Sequence, residues 1–238
     1  TLATSIINIP DGLIAIGDRG HIFINKSGEF KQVTVPSRTL LTSISFGDNN
    51  NGWAVGHDAT ILHTKDAGET WQRQQYLPEL DRPLLSLTFS DNQNGVVVGA
   101  YGMYFSTDDG GSSWHKQFLS SLLPVEDVEY LAEIRAESEE EYQFEISSIL
   151  PHFNGISRLS DGRMMLVGEL GLVAFSADNG KSWQRQEDIY DGSFFASIET
   201  RSKTLLVGGL RGNMFRSNDS GNTWEQVKLA NNFNINSF

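Results

Sequence analysis

Four copies of one eight-residue pattern run through the chain: Thr64-Lys-Asp66-Ala-Gly68-Glu-Thr70-Trp71, Thr107-Asp-Asp109-Gly-Gly111-Ser-Ser113-Trp114, Ser176-Ala-Asp178-Asn-Gly180-Lys-Ser182-Trp183 and Ser217-Asn-Asp219-Ser-Gly221-Asn-Thr223-Trp224. Each reads [ST]-x-D-x-G-x-[ST]-W. Recurrence at a fixed period constrains architecture more than any single residue does, because each copy must be one supersecondary unit stacked on the next. It also makes a recurring Asp, Ser and Gly cluster a building element before it is an active site.

The tryptophans serve as rulers. Trp71 and Trp114 are 43 residues apart, Trp114 and Trp183 are 69 apart, and Trp183 and Trp224 are 41 apart. Removing an insertion over residues 124–151 from the long interval restores the period. A degenerate fifth copy, Gly17 to Phe30, precedes the others, with Phe30 in the place of the tryptophan and no motif Asp. Each copy holds four short segments of β composition. In the second they are Leu41–Phe46, Gly52–Gly56, Thr60–Thr64 and Thr70–Arg73, separated by Asn-, Asp- and Gly-rich turns. Short strands at even spacing with a period near 40 indicate four-stranded antiparallel blades, and hence an all-β chain, a β-propeller. Five blades are visible, at about 4–33, 40–75, 84–118, 153–187 and 194–228, and residues 234–238 read as the start of a further first strand.

Turn chemistry accounts for the motif. It falls between the third and fourth strands, where Asp66, Asp109, Asp178 and Asp219 can accept backbone N–H groups of a tight turn. Gly68, Gly111, Gly180 and Gly221 can take positive φ. Trp71, Trp114, Trp183 and Trp224 are expected to open the fourth strand, wedge between blades and find an N–H partner. At the opposite rim lie the connections between strands two and three: Gly17-Asp-Arg-Gly20, Gly56-His-Asp-Ala59, Gly99-Ala-Tyr-Gly102, Gly168-Glu-Leu-Gly171 and Gly208-Gly-Leu-Arg-Gly212. Their glycines recur, with Ala59 in place of the closing one in the second copy, and the residues between them vary, as in a fixed scaffold that carries variable loops. Asp18, Arg19, His57, Asp58, Tyr101, Glu169 and Arg211 are therefore candidates for a contact surface, with solvated turn residues as the plainer reading.

A formal net charge of -12 disfavours a nucleic-acid partner, which needs clustered Lys and Arg. The charge is uneven. Residues 124–151 hold nine acidic residues and one base, Arg135. Richness in Glu, Ala and Leu there favours a helix. Alternation at Val128/Tyr130/Ala132/Ile134 and Tyr142/Phe144/Ile146 favours a projecting hairpin instead. The segment follows the fourth strand of the third blade, so it is expected at the rim of the variable turns. It reads either as a solvated acidic loop or as a docking element for a basic partner, with Tyr130, Tyr142 and Phe144 as apolar anchors. The chain has no cysteine, and its five histidines show no metal spacing. The sequence offers no phosphate loop, dinucleotide fingerprint or nucleophile elbow in context. No catalytic residue, metal ligand or small-molecule cofactor is assigned.

The motif matches the Asp-box, or bacterial neuraminidase, repeat. The wider blade, Asn51-Gly-Trp-Ala-Val-Gly56-His-Asp-Ala-Thr-Ile-Leu-His-Thr-Lys-Asp66-Ala-Gly-Glu-Thr-Trp71, resembles the photosystem II stability and assembly factor family. The resemblance covers all five copies. It implies a seven-bladed propeller without catalytic activity, exported to a periplasm or lumen, that assists a membrane protein during assembly or function. For this chain it suggests a binding scaffold for a complex of the bacterial cell envelope, whose partner is a membrane protein or its extramembrane domain. With five blades visible, the chain is expected to be part of a seven-bladed protein, with a closed five-bladed ring as the alternative. No arginine cluster matching the basic patch expected of photosynthetic members is visible, so no binding residue is carried over. The alternative is an Asp-box glycoside hydrolase, sialidase- or endoglucanase-like. The arginines show no sialidase signature, and other hydrolysis would need two carboxylates about 5–10 Å apart, for which Asp18, Asp58 and Glu169 are the available groups.

Overall fold

The computed structural model describes residues 2–26, 28–187 and 189–238. Among them, five four-stranded antiparallel sheets form, each with its strands in sequence order. The first holds β1 (Ala3–Ile9), β2 (Gly12–Gly17), β3 (Ile22–Asn25) and β4 (Phe30–Val33). The second holds β5 (Leu41–Phe46), β6 (Gly52–Gly56), β7 (Ile61–Thr64) and β8 (Gln72–Gln75). The third holds β9 (Leu84–Phe89), β10 (Gly95–Gly99), β11 (Tyr104–Thr107) and β12 (His115–Lys116). After two helices, α1 (Val125–Glu137) and α2 (Glu139–Ile146), come β13 (Phe153–Arg158), β14 (Met164–Gly168), β15 (Val173–Ser176) and β16 (Gln184–Arg185). The last sheet holds β17 (Phe194–Glu199), β18 (Leu205–Gly209), β19 (Met214–Ser217) and β20 (Glu225–Val227). These sheets are the blades of a β-propeller. The chain forms two compact units, one running to Gly99 and including Phe105–Lys116, the other holding Ala100–Tyr104 and Gln117 onward.

The second strands explain the burial. β6, β10 and β14 are buried at every position. Their runs, such as Val96-Val-Val98 and Met164-Met-Leu-Val167, are continuously apolar because a mid-blade strand is covered on both faces. In the first unit, Ile14, Ile22 and Ile24 of the first blade pack with Leu41, Ile44, Leu62 and Trp71 of the second. In the second unit, Met165, Val167 and Phe175 pack with Phe194, Val207 and Phe215. The fourth strands are short, exposed and polar, which blunts the outer edge of each sheet. In the second blade the fourth strand begins at Gln72. Trp71 therefore sits in the turn just ahead of it rather than opening it, and β7 starts one residue later than the composition indicated.

Blades are also stitched by a bulge that the sequence did not reveal. The register shifts near the start of β1, β5 and β13, at Thr4, Thr42 and Asn154. The skipped side chain reaches the next blade. Thr4 Oγ1 donates to the Leu41 carbonyl at 2.6 Å, Thr42 Oγ1 to that of Leu84 at 2.7 Å, and Asn154 Nδ2 to that of Phe194 at 2.8 Å.

The acidic insertion is helical. Leu131 is buried, and Asp127 and Ile134 are half-buried, at helical spacing on one face of α1. That face outweighs the alternation that suggested a hairpin. Ser138 interrupts the helix in an extended conformation, and its hydroxyl caps α2 by accepting from Glu141 N at 3.2 Å. Arg135 ties the two helices, pairing with Glu139 at 3.1 Å and lying 4.7 Å from the Tyr142 ring centre. Residues 234–238 form no strand. They lie along the fifth blade, where Ile235 N donates to the Gly209 carbonyl at 2.9 Å.

Candidate interaction surface

At one end of the blades the motif repeats almost atom for atom. Asp66 Oδ1 accepts from Thr64 Oγ1 and Thr70 N, both at 2.8 Å, while Oδ2 accepts from Thr70 Oγ1 at 2.6 Å. The Thr64 hydroxyl oxygen in turn accepts from Gly68 N at 3.0 Å. Asp109, Asp178 and Asp219 hold the same three bonds at 2.6–2.9 Å. The Ser113 N–H and hydroxyl push the Asp109 carboxyl down to about 2. The Thr223 hydroxyl and N–H do the same for Asp219, also to about 2. For Asp66 and Asp178 burial pushes the other way, but the combined hydrogen bonds outweigh it and the carboxyls stay low. Every acid here is saturated by its own turn. Gly68 is left-handed at φ 90°, and a Cβ there would collide with Ile14 Cδ1 of the preceding blade.

The tryptophans are less uniform than their motif. Trp71 Nε1 donates to the Gly68 carbonyl at 3.0 Å, and Trp183 Nε1 to the Tyr104 hydroxyl at 3.2 Å. Trp114 Nε1 reaches Gln74 Oε1 at 3.4 Å, an acceptor it shares with Trp53. Trp114 and Trp224 are only partly buried. Trp224 Nε1 has no hydrogen-bond partner among the described residues, contrary to the expectation for all four. Phe30, in the matching place of the first copy, is 55% exposed and so is not buried as Trp71 and Trp183 are. Ser27, inside that copy's turn, lies outside the described residues.

At the other end the backbone repeats and the side chains do not. The first N–H of the turn returns to the start of its own blade: Asp18 N to the Leu2 carbonyl, His57 N to Leu40, Glu169 N to His152, and Leu210 N to Ser193, at 2.9–3.1 Å. The next residue is left-handed in every blade: Arg19 (φ 53°), Asp58 (55°), Tyr101 (52°), Leu170 (54°) and Arg211 (57°). A non-glycine residue pays about 1 kcal/mol or more for that conformation. Here a three-residue return bond, such as His21 N to the Asp18 carbonyl at 3.0 Å, holds it. The result is an exposed side chain at this position in four of the five blades, with Asp58 half-buried in the second. Arg19 and Arg211 are exposed, Tyr101 is 45% exposed, and Leu170, which sequence reasoning passed over, is 64% exposed.

The candidates divide between the two units. In the first, Asp58 lines a cleft of about 600 Å³ with Arg38, Arg73 and Tyr76. The Arg73 guanidinium carbon stands 4.9 Å from the Tyr76 ring centre. Sequence inspection found no arginine cluster, because Arg38 lies in a linker and Arg73 in a fourth strand; folding of the second blade brings them together. Asp18 is already engaged, accepting from Leu2 N at 3.1 Å, and His57 is exposed. In the second unit, the Tyr101 ring meets His152 edge-on at 4.5 Å, and His152 Nδ1 lies 3.8 Å from Glu169. Glu169 also accepts from His152 N at 3.2 Å, so it fastens the start of β13 rather than standing free. On the insertion, Phe144 is 73% exposed, Tyr130 is exposed and Tyr142 is half-buried under Arg135. Among the described residues no group of three or more His, Cys, Asp or Glu side chains gathers as for a metal.

Repeated four-stranded blades, saturated Asp turns at one end and varied residues at the other define a β-propeller. Residues 23–140 match the family model of the Photosynthesis system II assembly factor YCF48. The chain is a photosystem II assembly factor-like β-propeller. It is similar to the chloroplastic photosystem II stability/assembly factor HCF136 of Cyanidioschyzon merolae, 38% identical over 53 residues, which are 21% of this chain and 12% of that protein. A solved structure of YCF48 bound to a D1 peptide has a TM-score of 0.61 at 16% identity, over 95% of this chain and 71% of that one. An ancestral GH74 enzyme gives a TM-score of 0.71 at 12% identity, over 97% of this chain but 32% of the enzyme. At these identities the two structural likenesses speak for the fold.

Proposed function

We propose that this chain is a non-catalytic binding propeller that holds an extramembrane segment of a membrane protein while a complex of the bacterial cell envelope is assembled. The observation that carries the reading is the Arg38–Arg73–Tyr76–Asp58 cleft, set at the end of the blades where side chains vary. Two guanidinium groups beside an aromatic ring suit an extended peptide with a carboxylate, and the YCF48 neighbour is described with a D1 peptide bound. Arg19, Tyr101 and Arg211 would extend the contact within their own units. The reading places the protein in a periplasm or lumen. Among the described residues no helix is long and apolar enough to cross a membrane.

The hydrolase alternative relied on Asp18, Asp58 and Glu169. Two of these are occupied by backbone N–H groups, and the GH74 likeness is one of fold. A photo-cross-linker at Tyr76 or Arg19, activated in cells, tests the binding reading. Adducts with membrane proteins are expected, and they should fall when Arg38 and Arg73 are both changed to Glu. Turnover of a sialoside or a β-glucan, or adducts with no membrane protein, would overturn it.

A further inference from the structure

At the foot of the helical pair a groove of about 270 Å³ opens between the insertion and the turn of the fourth blade. Leu123, Ile149 and Leu170 form apolar walls, and Asp127 and Asp191 stand at its border. Arg185 locks the two sides together, donating to the Leu122 carbonyl at 3.0 Å and the Leu170 carbonyl at 3.2 Å. The volume falls below the roughly 300–1,000 Å³ of small-molecule sites and suits a single side chain. Apolar surface continues past the groove, since Val125, the residue after its Pro124 wall, is 70% exposed. Around it, residues 124–151 carry nine acids against one base.

Resting on the partner-binding reading above, we propose that this groove docks a basic amphipathic segment of the partner, with one apolar side chain seated against Leu170 and flanking Lys or Arg residues facing the acidic helices. Charge decides the occupant. An acidic peptide or an anionic lipid surface is repelled by this field. So is a second copy of the chain, which carries a formal net charge of -12. The apolar walls add what charge alone lacks, a contact that survives salt. Fields from exposed carboxylates are screened within about 8 Å at physiological ionic strength.

The full chain is titrated by fluorescence anisotropy against a fluorescein-labelled peptide with Leu and Phe spaced among Lys, a peptide with Glu for each Lys, and one with Ser for Leu and Phe. The first is expected to bind. Loss of its apolar residues, or Leu170→Ser in the protein, should weaken binding at least about tenfold, as the loss of a single anchor does. Asp127→Asn with Asp191→Asn should flatten its salt dependence. Leu170 is exposed, so the variant keeps its fold, which circular dichroism checks. Binding within about twofold in Leu170→Ser, equal binding of the Ser peptide, or a sedimentation shift showing that Leu170 holds a dimer would each overturn the inference. If Leu170→Ser abolishes peptide binding but leaves the membrane-protein adducts at Tyr76 intact, the groove serves a second contact. If peptide binding fails in the wild type while those adducts persist, this inference falls and the binding reading stands.

Discussion

The two ends of the blades both rest on tight turns with left-handed residues and do opposite things with their side chains. At the motif end, four aspartates hold the same three hydrogen bonds, each to a donor within four residues in sequence. At the turn end, the backbone repeats as faithfully, yet the left-handed position carries Arg, Asp, Tyr, Leu and Arg in successive blades. A repeated side-chain network marks a part whose work is internal. A repeated backbone under changing side chains marks a part that presents something outward.

The largest break in that comparison is Gly68→Val. It forces a β-branched residue into a left-handed turn and against Ile14, and both faults act at once. A loss of about 3 kcal/mol or more is expected in urea unfolding, from strain and overpacking together. An unfolding midpoint close to wild type would show that the blades can slide apart and that the turn is not a rivet.

Acid sharpens the comparison next. Asp109 and Asp219 are held at about 2 in the fold, against about 3.9 in an unfolded chain. Their folded values are depressed, so they stabilise the protein fully above about pH 4, and that contribution is lost as pH falls toward 2. The urea midpoint is expected to drop steeply across that window and to drop less in Asp109→Asn.

The smallest effect on stability is expected at Arg19→Gly. Glycine relieves the left-handed backbone but costs about 0.5–1 kcal/mol more chain entropy on folding, so the two nearly cancel. Stability should stay within about 0.5 kcal/mol of wild type. Cross-linked partner from a probe at Tyr76 should nevertheless fall. A change in stability without a change in capture would reverse the roles assigned to the two ends.

Much of the fold was legible because its signals are local. The box spacing, the turn glycines and the runs of Val, Met and Leu in the second strands each reflect contacts a few residues apart or a simple burial pattern. The helices of the insertion were half legible: composition favoured them, and alternation of apolar residues pointed elsewhere, until Leu131 and its helical neighbours showed which face is covered. The tryptophans were over-read. One motif gave Trp71 a buried hydrogen bond to its own box glycine, Gly68, and left Trp224 Nε1 without a partner among the described residues, so the motif does not by itself set where the indole N–H points.

The candidate site was legible only as a set of positions. The sequence determined that five similar blades recur, that their boxes close on themselves and that variable residues occupy the opposite turns, since each of these is written within one repeat. Tertiary structure alone decided that Arg38 and Arg73 share a cleft with Tyr76, that His152 joins Tyr101 to Glu169, that Asp18 and Glu169 are engaged, and that Leu170 faces the foot of the helices. Those contacts join residues whose separation in the chain follows no period. They arise only when the strands pair and the blades pack, which is where one side chain's surroundings cease to be set by its sequence neighbours.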